Sequence, residues 1–240
     1  MAAQSLKQQA CLAVFNSEDT ANGIVLSCGG HCATKVGTTG LYTSTRAMVP
    51  IMRNRHVFFQ MSIMAEESAV ASLCIGLSTP EMPLNTLVGS WKYSIGLCST
   101  GQILVGSRWY GSSTKQHRFG CGCTIGVLIH IDECRCSDSW DGELVEASLK
   151  FSVNGVPVLL DASDGHPGGD VTPLFIPKDD DIYPTLTLHS PSTQVLGRFC
   201  AADILHPHRS LVGAPPGVPV YALDGSVVLQ PDQDVGAINI

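Results

Sequence analysis

FGCGCTIGVLIHID, Phe119 to Asp132, opens the stretch whose reading decides the fold; it continues as ECRCSDSWDGELVE, Glu133 to Glu146, and closes as LKFSVNGVPV, Leu149 to Val158. Val127, Ile129 and Ile131 fall on one side of a two-residue period, and Leu128, His130 and Asp132 on the other, which is how a strand with at least one buried face reads. Leu149, Phe151 and Val153 alternate in the same way with Lys150 and Ser152. Asn154-Gly155 follows at once and supplies the positive φ angles that a two-residue hairpin turn needs. The chain is expected to turn back there.

The same texture extends in both directions. HVFFQMSIM, His56 to Met64, sets Val57, Phe59, Met61 and Ile63 on one face. SLCIGLST, Ser72 to Thr79, repeats it through Leu73, Ile75 and Leu77, and the Pro80 to Pro83 segment then forbids a continued ladder. Trp91 to Cys98 alternates through Tyr93, Ile95 and Leu97, and Ser99 to Gln102 makes a turn before Ile103 and Val105. YPTLTLHS and TQVLGRF supply further apolar alternation, whereas no long amphipathic helix of 3.6-residue period occurs anywhere. The count is eight to twelve short strands separated by Gly, Pro, Asn and Ser turns. An all-β fold follows, a bent antiparallel β-sandwich with few or no helices, because two alternating faces must be buried against each other. Residues 1–22 read as a lead-in in which Leu12, Val14 and Phe15 can pack, residues 23–200 as the sandwich, and residues 201–240 as a tail. Asp224-Gly225 in that tail marks one more hairpin, either on the sandwich or opening a second module.

With 240 residues, 44% of them hydrophobic and 15% charged, the chain can bury a sizeable core as one domain. Its 14 Lys and Arg against 21 Asp and Glu leave a formal charge of −7, and no basic run overrides that average, so nucleic acid is excluded as an expected partner. Ala10 to Phe15 is too short for a signal core, and no segment approaches a membrane span. Ten Cys spread over a chain of this length, without a signal segment, read as reduced thiols in an intracellular, cytoplasmic protein with no membrane contact.

Set in order, LSCGGHCATKVG with STRA, HVFFQMSI, IGLSTPEMPLNTLVGSWKYSIG, FGCGCTIGVLIHID, LKFSVNG and YPTLTLHSPSTQVLGRF resemble the SPRY domain family, over Gly23 to Phe199. The resemblance implies a concanavalin-like jelly roll of two antiparallel sheets that binds protein ligands through loops at one end, with no catalysis; no cofactor is expected. Two departures stand out. The family enters the strand near Ile125 from an Asp-containing turn, where this chain has Phe119-Gly120-Cys121-Gly122-Cys123-Thr124, and Glu133 to Glu146 lengthens a connection that the family keeps short. PLNTLVGS is similar to the ligand-facing loop of the SOCS-box and F-box adaptors but is shorter, so their peptide specificity is not carried over.

The residues that bear chemistry do not assemble into a catalytic motif. Cys28, His31 and Cys32, the pair Cys121 and Cys123, and Cys134 with Cys136 and His130 offer zinc donors, yet structural zinc sites favour CxxC knuckles, and buried thiols acting as small hydrophobes are the expected reading. No metal is therefore assigned. GCGCTIG, Gly120 to Gly126, lacks the following helix that a dinucleotide-binding glycine motif requires. There is no G-x-S-x-G elbow and no H-E-x-x-H helix. His206-Pro207-His208 reads as solvent-facing, and Asp179 to Asp181 as a solvated acidic run.

The leading expectation is a non-catalytic module that binds a protein or peptide ligand through the loops His31 to Gly40, Glu81 to Ser90 and Cys134 to Gly142. The residues singled out are His31, Thr34, Met82, Leu84, Asn85 and Trp140. Trp91 and Trp109 stand next to strands, where core filling is expected, while Trp140 has no alternating neighbours to bury it. A second reading is a sugar-binding protein or enzyme on a lectin-like sandwich, with Trp140, Asp138 and Asp141 as its cluster. A third is an adaptor within a larger assembly such as a ubiquitin ligase, although no SOCS-box, RING or F-box pattern is visible. Oligomeric state is not encoded in any of these features.

Overall fold

The computed structural model of the chain describes residues 13–37, 41–66, 73–111, 118–139, 142–160, 169, 172–207 and 212–231, and for 135–139 and 142 the backbone alone. In chain order the strands are β1 (Phe15–Thr20), β2 (Ile24–Ser27), β3 (Cys32–Lys35), β4 (Thr43–Ala47), β5 (His56–Ala65), β6 (Leu73–Ser78), β7 (Ser94–Cys98), β8 (Gln102–Val105), β9 (Arg108–Gly111), β10 (Thr124–Ser139), β11 (Gly142–Val153), β12 (Val156–Pro157), β13 (Thr172–Pro177), β14 (Tyr183–Leu188), β15 (Gln194–Arg198), β16 (Val220–Tyr221) and β17 (Val227–Leu229). The first sheet runs β1-β4-β14-β6-β7-β8-β9. The second runs β12-β11-β10-β5-β15-β3-β2, with β13 also on β11 and the β16–β17 hairpin on β5. Every pairing is antiparallel except β16 with β5. The all-β sandwich read from the alternation is the observed architecture.

One core joins the sheets. Val57, Phe59, Met61 and Ile63 of β5, with Val127, Ile129 and Ile131 of β10, are buried in one cluster with Ile75 and Leu77 of β6, Ile95 and Leu97 of β7, and Leu186 and Leu188 of β14. These are the in-facing positions of the two-residue period. At the β11–β12 turn, Val153 pairs with Val156. Asn154 and Gly155 have φ of 51° and 78°, the left-handed pair that the Asn-Gly reading required.

Two segments outside the expected sandwich boundaries contribute to it. The lead-in supplies β1, which pairs with β4, and its Phe15 ring meets Phe199 edge-on at 5.2 Å. The tail covers the outer face of the second sheet. Phe58 and Leu128, paired directly across β5 and β10, are buried there with Ile204, Val212, Val220, Ala222 and Leu229. Gln60 fixes the approach: its Nε2 donates to the Leu205 carbonyl at 3.1 Å, and its Oε1 accepts the Leu205 N–H at 2.8 Å. β15 pairs with β5 as far as Arg198 opposite Gln60, and β16 takes over that edge opposite His56 and Val57.

The connection expected to be lengthened over Glu133 to Glu146 is strand over its described residues, 133–139 and 142–146. It is the continuation of the β10–β11 hairpin, with Asp132 opposite Glu146 and Cys136 opposite Val145 around a bulge, and the ladder then reaches Ser139 opposite Gly142. A bulge shifts the register, and the side chains of this ribbon do not alternate apolar with polar, so no period-two signal marks it.

Val220 is fully buried against the outer face, so Val220→Asp, which buries a carboxylate among Phe58, Leu128 and Leu229, is expected to lower stability by at least about 2 kcal/mol. An unchanged denaturation midpoint would show that the tail does not dock. His56 and His130 stack with centroids 4.3 Å apart. Burial first, then His130 and Lys150, hold His56 down from 6.5 to about 4. The unfolded chain therefore binds the extra proton, and the stabilising contribution is complete above pH 6.5 and declines as pH falls towards about 4. His56→Gln should flatten the melting-temperature profile across that window.

Candidate partner-binding rim

The connection from β6 to β7, residues 79–93, lies over the outer face of the first sheet, and a run of polar side chains holds it there. Arg46 of β4 is 1% exposed. Its Nε donates to Ser78 Oγ at 3.0 Å, its Nη1 pairs with Asp19 at 2.6 Å, and its Nη2 reaches the carbonyls of Pro80, at 3.2 Å, and Met82. Beside it, the Ser44 N–H donates to the Leu84 carbonyl at 2.7 Å and Ser44 Oγ to the Thr86 carbonyl at 2.9 Å. Thr187 Oγ1 accepts the Val88 N–H at 3.0 Å. Ser94 Oγ accepts the N–H groups of Gly89 and Trp91 at 3.0 and 3.1 Å. These donors and acceptors satisfy the main chain of a loop that crosses a sheet face, where unpaired polar groups are costly.

The close approach needs small residues beneath it. A Cβ on Gly96 would stand 2.6 Å from Cys74 Sγ and 2.8 Å from Val88. With Gly there, Cys74, Met82, Val88 and Cys98 form a buried cluster under the loop, against which Leu87 and Trp91 pack.

Of the residues singled out from the sequence, Leu84 is half-buried and Asn85 exposed on this loop. Met82 is 1% exposed and points into the cluster, so it forms the floor of the loop and presents no side chain to a partner. Thr34 lies across the rim, where its Oγ1 accepts from Gln194 Nε2 at 3.2 Å. His31 sits at the opposite end of β3, its carbonyl accepting the Gly197 N–H at 2.8 Å. At about 3.3 Å per strand residue it is roughly 10 Å from Thr34. Trp140, and Asp141 of the sugar-site cluster, lie outside the described residues.

Two shallow grooves flank the turn that follows β14. One is lined by Tyr42, Leu87, Cys98, Gln102, Trp109 and His189, the other by Thr34, Val36, Gly37, Pro191, Ser192 and Gln194. Lys35, buried, donates from Nζ to the carbonyls of Leu41 and, at 3.4 Å, Leu188; Thr43 Oγ1 adds a second donor to Leu188 at 3.2 Å. Burial lowers the Lys35 pKa from its ordinary value. The rim carries exposed apolar side chains, Leu41 at 73%, Tyr42 at 42% and Trp109 at 52%. The expectation that Trp109 fills the core is thus corrected. Its strand neighbour Tyr110 packs against the core instead, and alternation turns Trp109 outward on β9, the last strand of its sheet. Sequence reasoning missed Tyr42 and His189, had Leu87 only as part of the loop Glu81 to Ser90 and assigned Trp109 to the core, because what gathers them is the order of the strands and not their spacing. Among the described residues no group of three or more His, Cys, Asp or Glu side chains is placed to hold a metal ion, and no helix is long and apolar enough to cross a membrane.

Two antiparallel sheets sharing one core, with a hydroxyl-anchored loop over one outer face and shallow grooves at a rim, define a sandwich that displays loops. The fold is that of SPRY domains: a human SPRY domain superposes with a TM-score of 0.53 at 20% identity, covering 74% of this chain and 95% of that one. The SPRY domain of human HERC1 (TM-score 0.49, 15% identity, 77% of this chain and 96% of that one) and stonustoxin (TM-score 0.47, 11% identity, 78% and 27%) are also similar to it. No family model matches the sequence, and no curated protein matches it.

Arg46→Met removes the guanidinium and leaves the Pro80 and Met82 carbonyls and the Asp19 carboxylate without their donor. The expected loss is about 3 kcal/mol, with faster amide hydrogen exchange concentrated in residues 79–90. Uniform exchange across the domain would show that Arg46 does not set the loop.

Proposed function

We propose that the chain is a non-catalytic protein-interaction module that binds a peptide or a folded protein partner at this rim. The observation that carries the reading is the pairing of a fixed loop with unfixed apolar surface. Residues 79–90 are held by Arg46, Ser44, Thr187 and Ser94, while Leu41, Tyr42 and Trp109 stand exposed beside them. A loop already ordered costs little entropy on binding, and exposed aromatic side chains are the commonest anchors of an interface. The SPRY fold of the neighbours supports the same reading.

Leu84, Asn85, Leu87, Tyr42 and Trp109 are proposed as the contact set, with Thr34 on the second groove and Met82 as the support beneath the loop. The partner is a protein or peptide carrying apolar side chains for the grooves, and the setting is intracellular. As an adaptor the module would hold a client at its rim while other chains supply any chemistry; a ubiquitin ligase is one assembly of that kind. Residues 23–200 with β1 are proposed as the working unit, and the tail as its cover.

Selection from a displayed random-peptide library on the immobilised chain is expected to yield a convergent apolar motif. Trp109→Ala and Leu84→Ala should each weaken the selected peptide about 10-fold or more without moving the melting temperature. Peptides that bind both variants as tightly as the parent chain would place the site elsewhere.

A further inference from the structure

Cys74 and Cys98 lie directly opposite each other on β6 and β7, with their sulfurs 3.0 Å apart. The Ser99 N–H donates to the Leu73 carbonyl at 3.0 Å, and Leu73 and Ser99 are the next pair along the same register. That makes Leu73–Ser99 the hydrogen-bonded pair and Cys74–Cys98 the non-hydrogen-bonded one, in which opposing Cα atoms approach to about 4.5 Å. A disulfide requires Cα atoms about 4.4–6.8 Å apart, so a bond between these sulfurs needs no rearrangement of the ladder.

Both thiols belong to the cluster that floors the candidate loop. Cys98 S–H points to Cys74 Sγ, and Cys74 S–H to the Val88 carbonyl at 3.5 Å. The residues between the two cysteines include the whole connection 79–93. Access differs between the partners: Cys74 is fully buried, whereas Cys98, 5% exposed, also lines the Tyr42–Trp109 groove. Burial, reinforced by Cys98, raises the Cys74 pKa and keeps it a thiol.

We infer that Cys74 and Cys98 form a reversible disulfide, driven by hydrogen peroxide entering through the Tyr42–Trp109 groove, and that this bond tightens the loop of residues 79–93 above it. The Cys98 sulfur attacks one peroxide oxygen as its S–H proton is given up. The O–O bond breaks, hydroxide leaves and takes up the proton as water, and Cys98 becomes a sulfenic acid. Cys74 sulfur then attacks Cys98 sulfur, the S–O bond breaks, and the Cys74 proton leaves with the departing hydroxide as a second water. Two thiols are oxidised to one disulfide and one peroxide is reduced to two waters. A thiol reductant reverses the step by exchange. The ring so closed spans both stems of the loop, and closing it restricts the unfolded chain as well as the native loop.

The test uses the full chain, reduced, then exposed to hydrogen peroxide and quenched. Alkylation under denaturing conditions followed by peptide mapping should recover one cross-linked species holding Cys74 and Cys98. The melting temperature should rise by roughly 5 °C or more, and amide exchange over residues 79–93 should slow and return to its starting rate after reduction. The proposal is overturned by recovery of both cysteines as alkylated thiols, by pairing of either with another cysteine, by accumulation of Cys98 sulfinic acid, or by a 74–98 cross-link that leaves loop exchange unchanged. Cys121→Ser, which removes an exposed thiol far from the pair in sequence, should change none of these readings. No partner is needed for any readout, so the result stands apart from the peptide-binding test.

Discussion

A single buried guanidinium ties together the parts of this molecule that sequence separates. Arg46 is the largest of the fully buried side chains among the described residues, and its donors reach β1 through Asp19, β6 through Ser78, and the loop beyond β6 through the carbonyls of Pro80 and Met82. A cation in so dry a place persists only when its donors are matched, since desolvating it without partners costs more than the fold's net stability tolerates. The matching also dictates shape. Two of its acceptors are main-chain carbonyls of one loop, and in the conformation that satisfies the cation Asn85 is exposed, Leu84 half-buried and Met82 beneath.

The hydroxyls around Arg46 extend this control along the sheet. Ser44, Thr185 and Thr187 belong to β4 and β14, and Ser78 Oγ and Thr185 Oγ1 lie 2.9 Å apart, as Ser44 Oγ and Thr187 Oγ1 lie 2.8 Å apart. Each hydroxyl can donate to one neighbour and accept from another, so the row passes hydrogen bonds from the sheet to the loop main chain. Orientation is specified more sharply than an apolar contact would specify it. Gly96 completes the arrangement by leaving the volume that Val88 fills.

How much of this was legible follows from what each feature depends on. The sandwich was readable because Val57, Phe59, Met61 and Ile63, or Val127, Ile129 and Ile131, declare a buried face by local period alone, and the Asn154-Gly155 turn declares itself by backbone chemistry. The loop 81–90 was readable as a loop from its prolines. Which of its residues face outward was not: Met82 is buried and Leu84 half-buried on a loop whose Pro80 and Met82 carbonyls are held by Arg46, distant in sequence. Trp109 and Tyr110 exchange roles for a similar reason. Alternation fixes that they point oppositely, but only the strand order β7-β8-β9 decides which side is core. The long hairpin through Glu133 to Glu146 carried no alternating signal to read.

The two outer faces are covered by opposite means, and the difference has a functional sense. On the second sheet Phe58 and Leu128 are apolar, and the tail meets them with Ile204, Val212, Val220 and Leu229; such a contact is non-directional and stabilises in proportion to the area it removes from water. On the first sheet the covering loop is held mainly by directional hydrogen bonds, which contribute modestly to net stability but are costly to leave unmade. A cover that only closes a core needs area, and the tail supplies it. A loop with the proposed role of presenting chosen side chains to a partner needs a fixed orientation, and Arg46 with its neighbouring hydroxyls supplies one. The division sets an area-driven cover on one face and an orientation-fixing one on the other, which is the arrangement that the proposed recognition at the rim requires.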